Sequence, residues 1–215
     1  MPDSRLMEIG ERIRESLVAK NAARDKAVNL SRELIRYCSL AIRASHRNEW
    51  QATERLLSEA HRAADELQAI VKPYPDLLFS GYTQDALKEL AEAHIALAIA
   101  QDKPIPAPEE IGVEYATYLN GLAEAVGELR RRVLDEIRTG HSQEAERLLA
   151  AMDEIYDLLV TMDFPEAITG GLRRSTDMVR GVLERTRSDL TVSFRESELM
   201  AAIERLQDGL KAFNR

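Results

Sequence analysis

Tyr118-Leu-Asn-Gly-Leu-Ala-Glu-Ala-Val-Gly-Glu-Leu-Arg-Arg131 decides the fold class. Stepped at ~100° per residue, Tyr118, Leu122, Ala125, Val126, Leu129 and Val133 fall within about 80° of one another, the pattern of an amphipathic helix. Glu124 and Glu128 lie one turn apart, nearly opposite that apolar face, with Arg131 close by. Two carboxylates one turn apart repel unless a cation lies between them. A second acidic pair, Glu89 and Glu92, stands on the preceding helical stretch. If the two helices are neighbours, four carboxylates converge on a hard divalent cation. The residues alone leave the ordinary reading open, because acidic pairs are common on solvated helix faces.

Outward from that stretch the chain reads as helix throughout. Between Glu11 and Lys72 there is neither Gly nor Pro, which predicts helix bent or broken once. The apolar stripe starts at Ile9, Ile13 and Leu17 and resumes at Leu30, Leu34, Cys38, Ala41 and Ile42. Ser45-His-Arg-Asn48 interrupts it, and Asn48 is expected to cap the next helix. That helix carries Leu56, Ala60, Ala63, Leu67 and Ile70, and Pro73-Tyr-Pro75 stops it. After Ser80-Gly81, helix is expected from Thr83 to about Ala100, with His94 on its apolar side. Pro104, Pro106 and Pro108 form a stiff linker. The helix through Glu124 is expected to end near Thr139-Gly140, and Ser142 restarts helix up to Pro165. Gly170-Gly171 makes a joint, another helix with Met178, Val179, Val182 and Leu183 follows, and the capping-box pattern Ser193-Phe-Arg-Glu196 predicts a separate last helix. The expected architecture is an all-α bundle of six or seven antiparallel helices, the longest being the first and the one through Glu124. No internal linker marks a boundary, so residues 1–215 read as one domain.

Composition bounds the function. Hydrophobic residues make up 45% and charged residues 31%, proportions of a globular chain with a packed core. The net charge of −8 argues against a protein that coats nucleic acid non-specifically. Arg (23) far outnumbers Lys (6), which suits bidentate pairing with phosphate or carboxylate. Arg36, Arg43 and Arg47 follow one helical stripe and are candidates for contact with a nucleic-acid backbone, with Arg131 beside the acids. Cys38 is alone, so no disulfide framework exists and a reducing cytoplasm is expected. No apolar run reaches the ~20 residues of a membrane span, and the N-terminus shows no signal-peptide core. No Ser/His/Asp or Cys/His set, zinc spacing or phosphate-cradling Gly loop is evident.

The order of several pieces resembles the translin family, over roughly residues 24–190. Leu30-Ser-Arg-Glu-Leu34 leading to His46-Arg47, Leu87-Lys-Glu-Leu-Ala-Glu-Ala93, Tyr118-Leu-Asn-Gly121 with Glu124, Glu128 and Arg131, and then Thr139-Gly140 and Tyr156-Asp157 carry the likeness. The two acidic pairs resemble the translin-associated factor X branch, which has Asp where Glu124 stands. The basic, His-containing RNA-binding segment of translin is not matched, since the corresponding residues are Leu78-Phe-Ser-Gly-Tyr-Thr83.

The resemblance implies an all-α, translin-like subunit assembling with copies of itself into a hollow oligomer, commonly an octamer. It also implies a magnesium-dependent endoribonuclease that cleaves single-stranded RNA, manganese being an alternative ion. Glu89, Glu92, Glu124 and Glu128 are then the expected metal and catalytic residues, with Glu92 and Glu128 as direct ligands. Arg131, Arg36, Arg43 and Arg47 are the expected RNA contacts. Two other readings stay open: a non-catalytic RNA-binding shell, and an all-α, magnesium-dependent nucleotide pyrophosphohydrolase.

Overall fold

The computed structural model describes residues 2–138, 140 and 142–213. Among these there is no strand. Six long helices are α1 (Pro2–His46), α2 (Trp50–Val71), α4 (Gly81–Ala100), α6 (Tyr115–Ile137), α7 (Gln143–Val160) and α9 (Leu172–Phe213). Three single turns lie between them: α3 (Pro75–Leu78), α5 (Pro108–Ile111) and α8 (Glu166–Thr169). The chain divides into two compact units. The first comprises residues 1–94 and 111–113, and the second residues 95–110 and 114–215, so α4 contributes to both.

In the first unit α1 packs against α2 as a hairpin. Leu34, Cys38 and Ala41 of α1 are fully buried, as are Ala60, Leu67 and Val71 of α2 and Ala86, Leu90 and Ala91 of α4. Small residues at these positions let helix backbones approach closely. The turn corrects one expectation. Asn48 does not cap α2. It takes a left-handed backbone conformation, φ 57°, and Glu49 is the residue preceding α2. Asn tolerates that conformation because its short amide side chain bonds locally, so Asn48 ends α1 instead of starting α2. Ser45 supports the turn by donating to the carbonyl of Ile42 at 2.8 Å. A second correction concerns the early stripe: Ile13 and Leu17 are more than half exposed and lie outside the core.

In the second unit α6, α7 and α9 pack on one another. The predicted face of α6 holds: Leu122, Ala125, Val126, Leu129 and Val133 are buried. Leu148, Met152, Ile155 and Leu159 meet them from α7, and Leu172, Val179 and Leu190 from α9. Ser142 caps α7, its hydroxyl accepting from the Ala145 amide at 3.1 Å. Gly170 and Gly171 both take positive φ, 61° and 86°, which only glycine adopts without strain. Asn120 fastens this joint: its amide donates to the Thr169 carbonyl at 2.8 Å, and it accepts from the Ser175 hydroxyl at 2.9 Å.

The separate last helix does not exist. α9 runs unbroken for 42 residues and is second in length to α1, which has 45, while α6 has 23. Ser193 lies on the buried face of α9, within a helix that already supplies the partners a cap would provide. Gly140 takes φ 116° three residues beyond the end of α6, and Thr139 lies outside the described residues.

Candidate metal and nucleic-acid site

Glu89 and Glu92 project from α4 about 60° apart on the helix wheel. Glu92 is buried, at 8% exposure, and Glu89 is half-buried. Burying carboxylates is costly unless they are paired or coordinate a cation, so their position distinguishes them from a solvated acidic face. Their charge reaches Cys38 on α1. That thiol is pushed far up, first by its own burial and then by Glu89 and Glu92. A thiol held protonated is inert as a nucleophile, so Cys38 is a packing residue beside the acids.

Glu124 and Glu128 occupy the half-buried side of α6, opposite its core face. Glu89 and Glu92 belong to the first unit, where each offers carboxylate oxygens to a cation, and Glu124 and Glu128 belong to the second. The donor set is all oxygen and anionic, which is what a hard cation selects.

The arginines divide. Arg36 and Arg43 are exposed on α1 and make no ion pair among the described residues; the Arg36 guanidinium lies 5.5 Å from the ring centre of Tyr37. Arg47 stands in the turn beyond α1 and holds Glu49 in a two-pronged pair, both bonds 2.8 Å. Arg131 is exposed on α6, on the same side of the helix as Glu124 and Glu128. Its neighbour Arg130 is structural, donating to the Thr186 hydroxyl at 2.9 Å and to Asp189 at 2.8 Å.

One pair escaped the sequence reading. His61 of α2 and His94 of α4 face each other with ring centres 5.0 Å apart. Burial, and then the neighbouring His61, hold the His94 imidazole down to about 4. No spacing rule ties residues on two separate helices, so only the apolar placement of His94 hinted at a partner.

No family model matches the chain. An uncharacterized protein of Methanocaldococcus jannaschii, MJ0175, is 31% identical over 196 residues, covering 90% of this chain and 86% of the relative. Two AfC3PO structures are similar in sequence and fold. The crystal structure of AfC3PO shows 32% identity and a TM-score of 0.78, covering 89% of this chain and 98% of that one. AfC3PO in complex with duplex RNA shows 33% identity and a TM-score of 0.77, covering 89% and 97%. The structure of apo-NeC3PO, at 20% identity and a TM-score of 0.73, shares the fold. With identity above 30% sustained over nearly the whole of both chains, and with the helical fold of these translin/factor X structures, this chain belongs to the translin family.

Proposed function

We propose that this chain is a magnesium-dependent endoribonuclease of the factor X kind, cleaving single-stranded RNA within an oligomeric shell of its own copies in the cytoplasm. The observation that carries the reading is the carboxylate pair on α4, Glu92 buried and Glu89 half-buried one turn away, in a chain of the translin family. When bound, magnesium supplies a water of lowered pKa and screens charge building on a phosphodiester. Glu92, the most enclosed carboxylate, anchors the ion, and Glu89 and Glu124 complete the protein side of its shell. Glu128, one turn along α6, accepts a proton from the attacking water or orients it. Arg131 holds a phosphate oxygen at the exposed edge, and Arg36 and Arg43 contact the RNA backbone further away. Assembly, with an octamer as the expected form, is supported by the exposed apolar side chains of α1 and α9, among them Leu17, Leu199, Leu206 and Leu210.

A second reading, RNA binding without cleavage, is favoured by one observation: a relative 33% identical to this chain has been solved with duplex RNA bound. The deciding experiment follows end-labelled single-stranded and duplex RNA with magnesium or with chelator. Magnesium-dependent cleavage of the single strand is expected, reduced at least about a hundredfold in Glu92→Gln and Glu124→Gln with binding retained. RNA binding with no metal-dependent cleavage selects the second reading. Hydrolysis of nucleoside triphosphates in place of RNA identifies a pyrophosphohydrolase and removes both.

A further inference from the structure

We propose that His61 and His94 form a two-histidine site for a borderline divalent cation, zinc being the representative, distinct from the carboxylate group. The two rings come from α2 and α4 of the first unit, with centres 5.0 Å apart and planes inclined at 48°. His61 Nδ1 and His94 Nε2 are both enclosed and have no hydrogen-bond partner among the described residues. An enclosed ring nitrogen without a partner is costly, and here two occur on facing rings. A shared ligand satisfies both at once.

The spacing fits ligation. With Zn–N near 2.0–2.1 Å, two imidazoles at a tetrahedral angle place their ring centres roughly 5 Å apart. Stacked aromatic pairs also occur at this separation, but stacking leaves the ring nitrogens to find other partners, and these two have none among the described residues. Each ring is only half-buried, so water completes the coordination from the solvent side. Ala60 and Ala64 on α2 and Ala91 and Ala93 on α4, all within three positions of a histidine, are buried.

The donor chemistry separates this site from the acids. Imidazole suits zinc, nickel and copper, whereas carboxylate and water suit magnesium. An ion held by His61 and His94 ties α2 to α4 at the level where α4 presents Glu92, two residues before His94. It therefore acts on the acidic pair by positioning its helix.

The test uses the full chain, stripped of metal and then kept in excess magnesium, which fills oxygen sites without competing for imidazole. Zinc is titrated by calorimetry and by its effect on Tm, which rises with ligand concentration when only the folded state binds. One zinc per chain is expected. His61→Gln and His94→Gln should each weaken zinc binding at least tenfold, and the double variant should bind no more weakly than the weaker single one. Unchanged zinc affinity in either single variant overturns the site. So does loss of zinc binding in Glu92→Gln with both histidines intact, since the ion then belongs to the carboxylates. If the histidine variants do not fold, cobalt(II) on the parent chain decides. Strongly shifted ring-proton resonances from two histidines support the site, and unshifted histidine resonances overturn it.

Discussion

His94 makes folding stability depend on pH in a way that one substitution isolates. Its imidazole takes a proton near 6.5 in an unfolded chain but only at about 4 in the folded protein. Between those values the unfolded state binds more protons, so stability rises with pH; it is complete above about 6.5 and is lost as pH falls toward 4. The displacement from 6.5 to about 4, at 1.36 kcal/mol for each tenfold change in proton affinity, is worth roughly 3 kcal/mol. The ring is only half-buried, and solvent screening reduces the expected contribution to ~2 kcal/mol. The assay is urea unfolding of the parent and of His94→Gln, with chelator present and protein concentration fixed. Midpoints are compared at about pH 7 and about pH 4.5. Carboxylates that titrate near the lower value do so in both proteins, so the difference between the two pH dependences isolates the imidazole. The parent should lose ~2 kcal/mol more than His94→Gln across that range. Parallel pH dependences would refute the argument, as would an NMR titration in which the His94 ring protonates near its ordinary value.

Three further outcomes follow from the same structure. Ser142→Ala should cost about 1 kcal/mol through removal of the cap on the Ala145 amide, and Asn48→Ala a similar amount through its left-handed backbone, whereas Asn48→Gly should be close to neutral; urea midpoints read all three. Magnesium should raise the Tm of the parent in a concentration-dependent way, and Glu92→Gln should remove most of that rise, since binding to the folded state alone stabilises it. Replacing Arg36 and Arg43 together by Gln should weaken binding of single-stranded RNA and flatten its salt dependence, by about 0.7 in log–log slope for each phosphate that is no longer neutralised.

Much of the fold is legible because the signals are local. The face of α6 follows from its period, the Ser142 cap from its position before an apolar run, and the Gly170-Gly171 joint from backbone geometry that L side chains resist. The failures are places where a local signal had two physical meanings. Ser193 begins a capping-box pattern, but in a helix already under way its hydroxyl faces the core and the cap is unnecessary. Asn48 suits both the residue that starts a helix and the left-handed residue that ends one; in this turn it takes the second role. Ile13 and Leu17 belong to an amphipathic stripe, yet periodicity says only that a face is apolar, not what covers it.

The candidate site obeys the same logic one level up. Glu89 and Glu92 are legible as a pair because they are one turn apart, and so are Glu124 and Glu128. Periodicity cannot say which members of two pairs on different helices approach each other. That depends on the rotation of each helix about its own axis, which core packing sets. The buried Ala86, Leu90 and Ala91 fix that rotation for α4, and Leu122, Val126 and Leu129 fix it for α6. Glu124 and Glu128 stand one helical turn, about 6 Å, apart along α6, and the period alone assigns neither of them a partner on another helix.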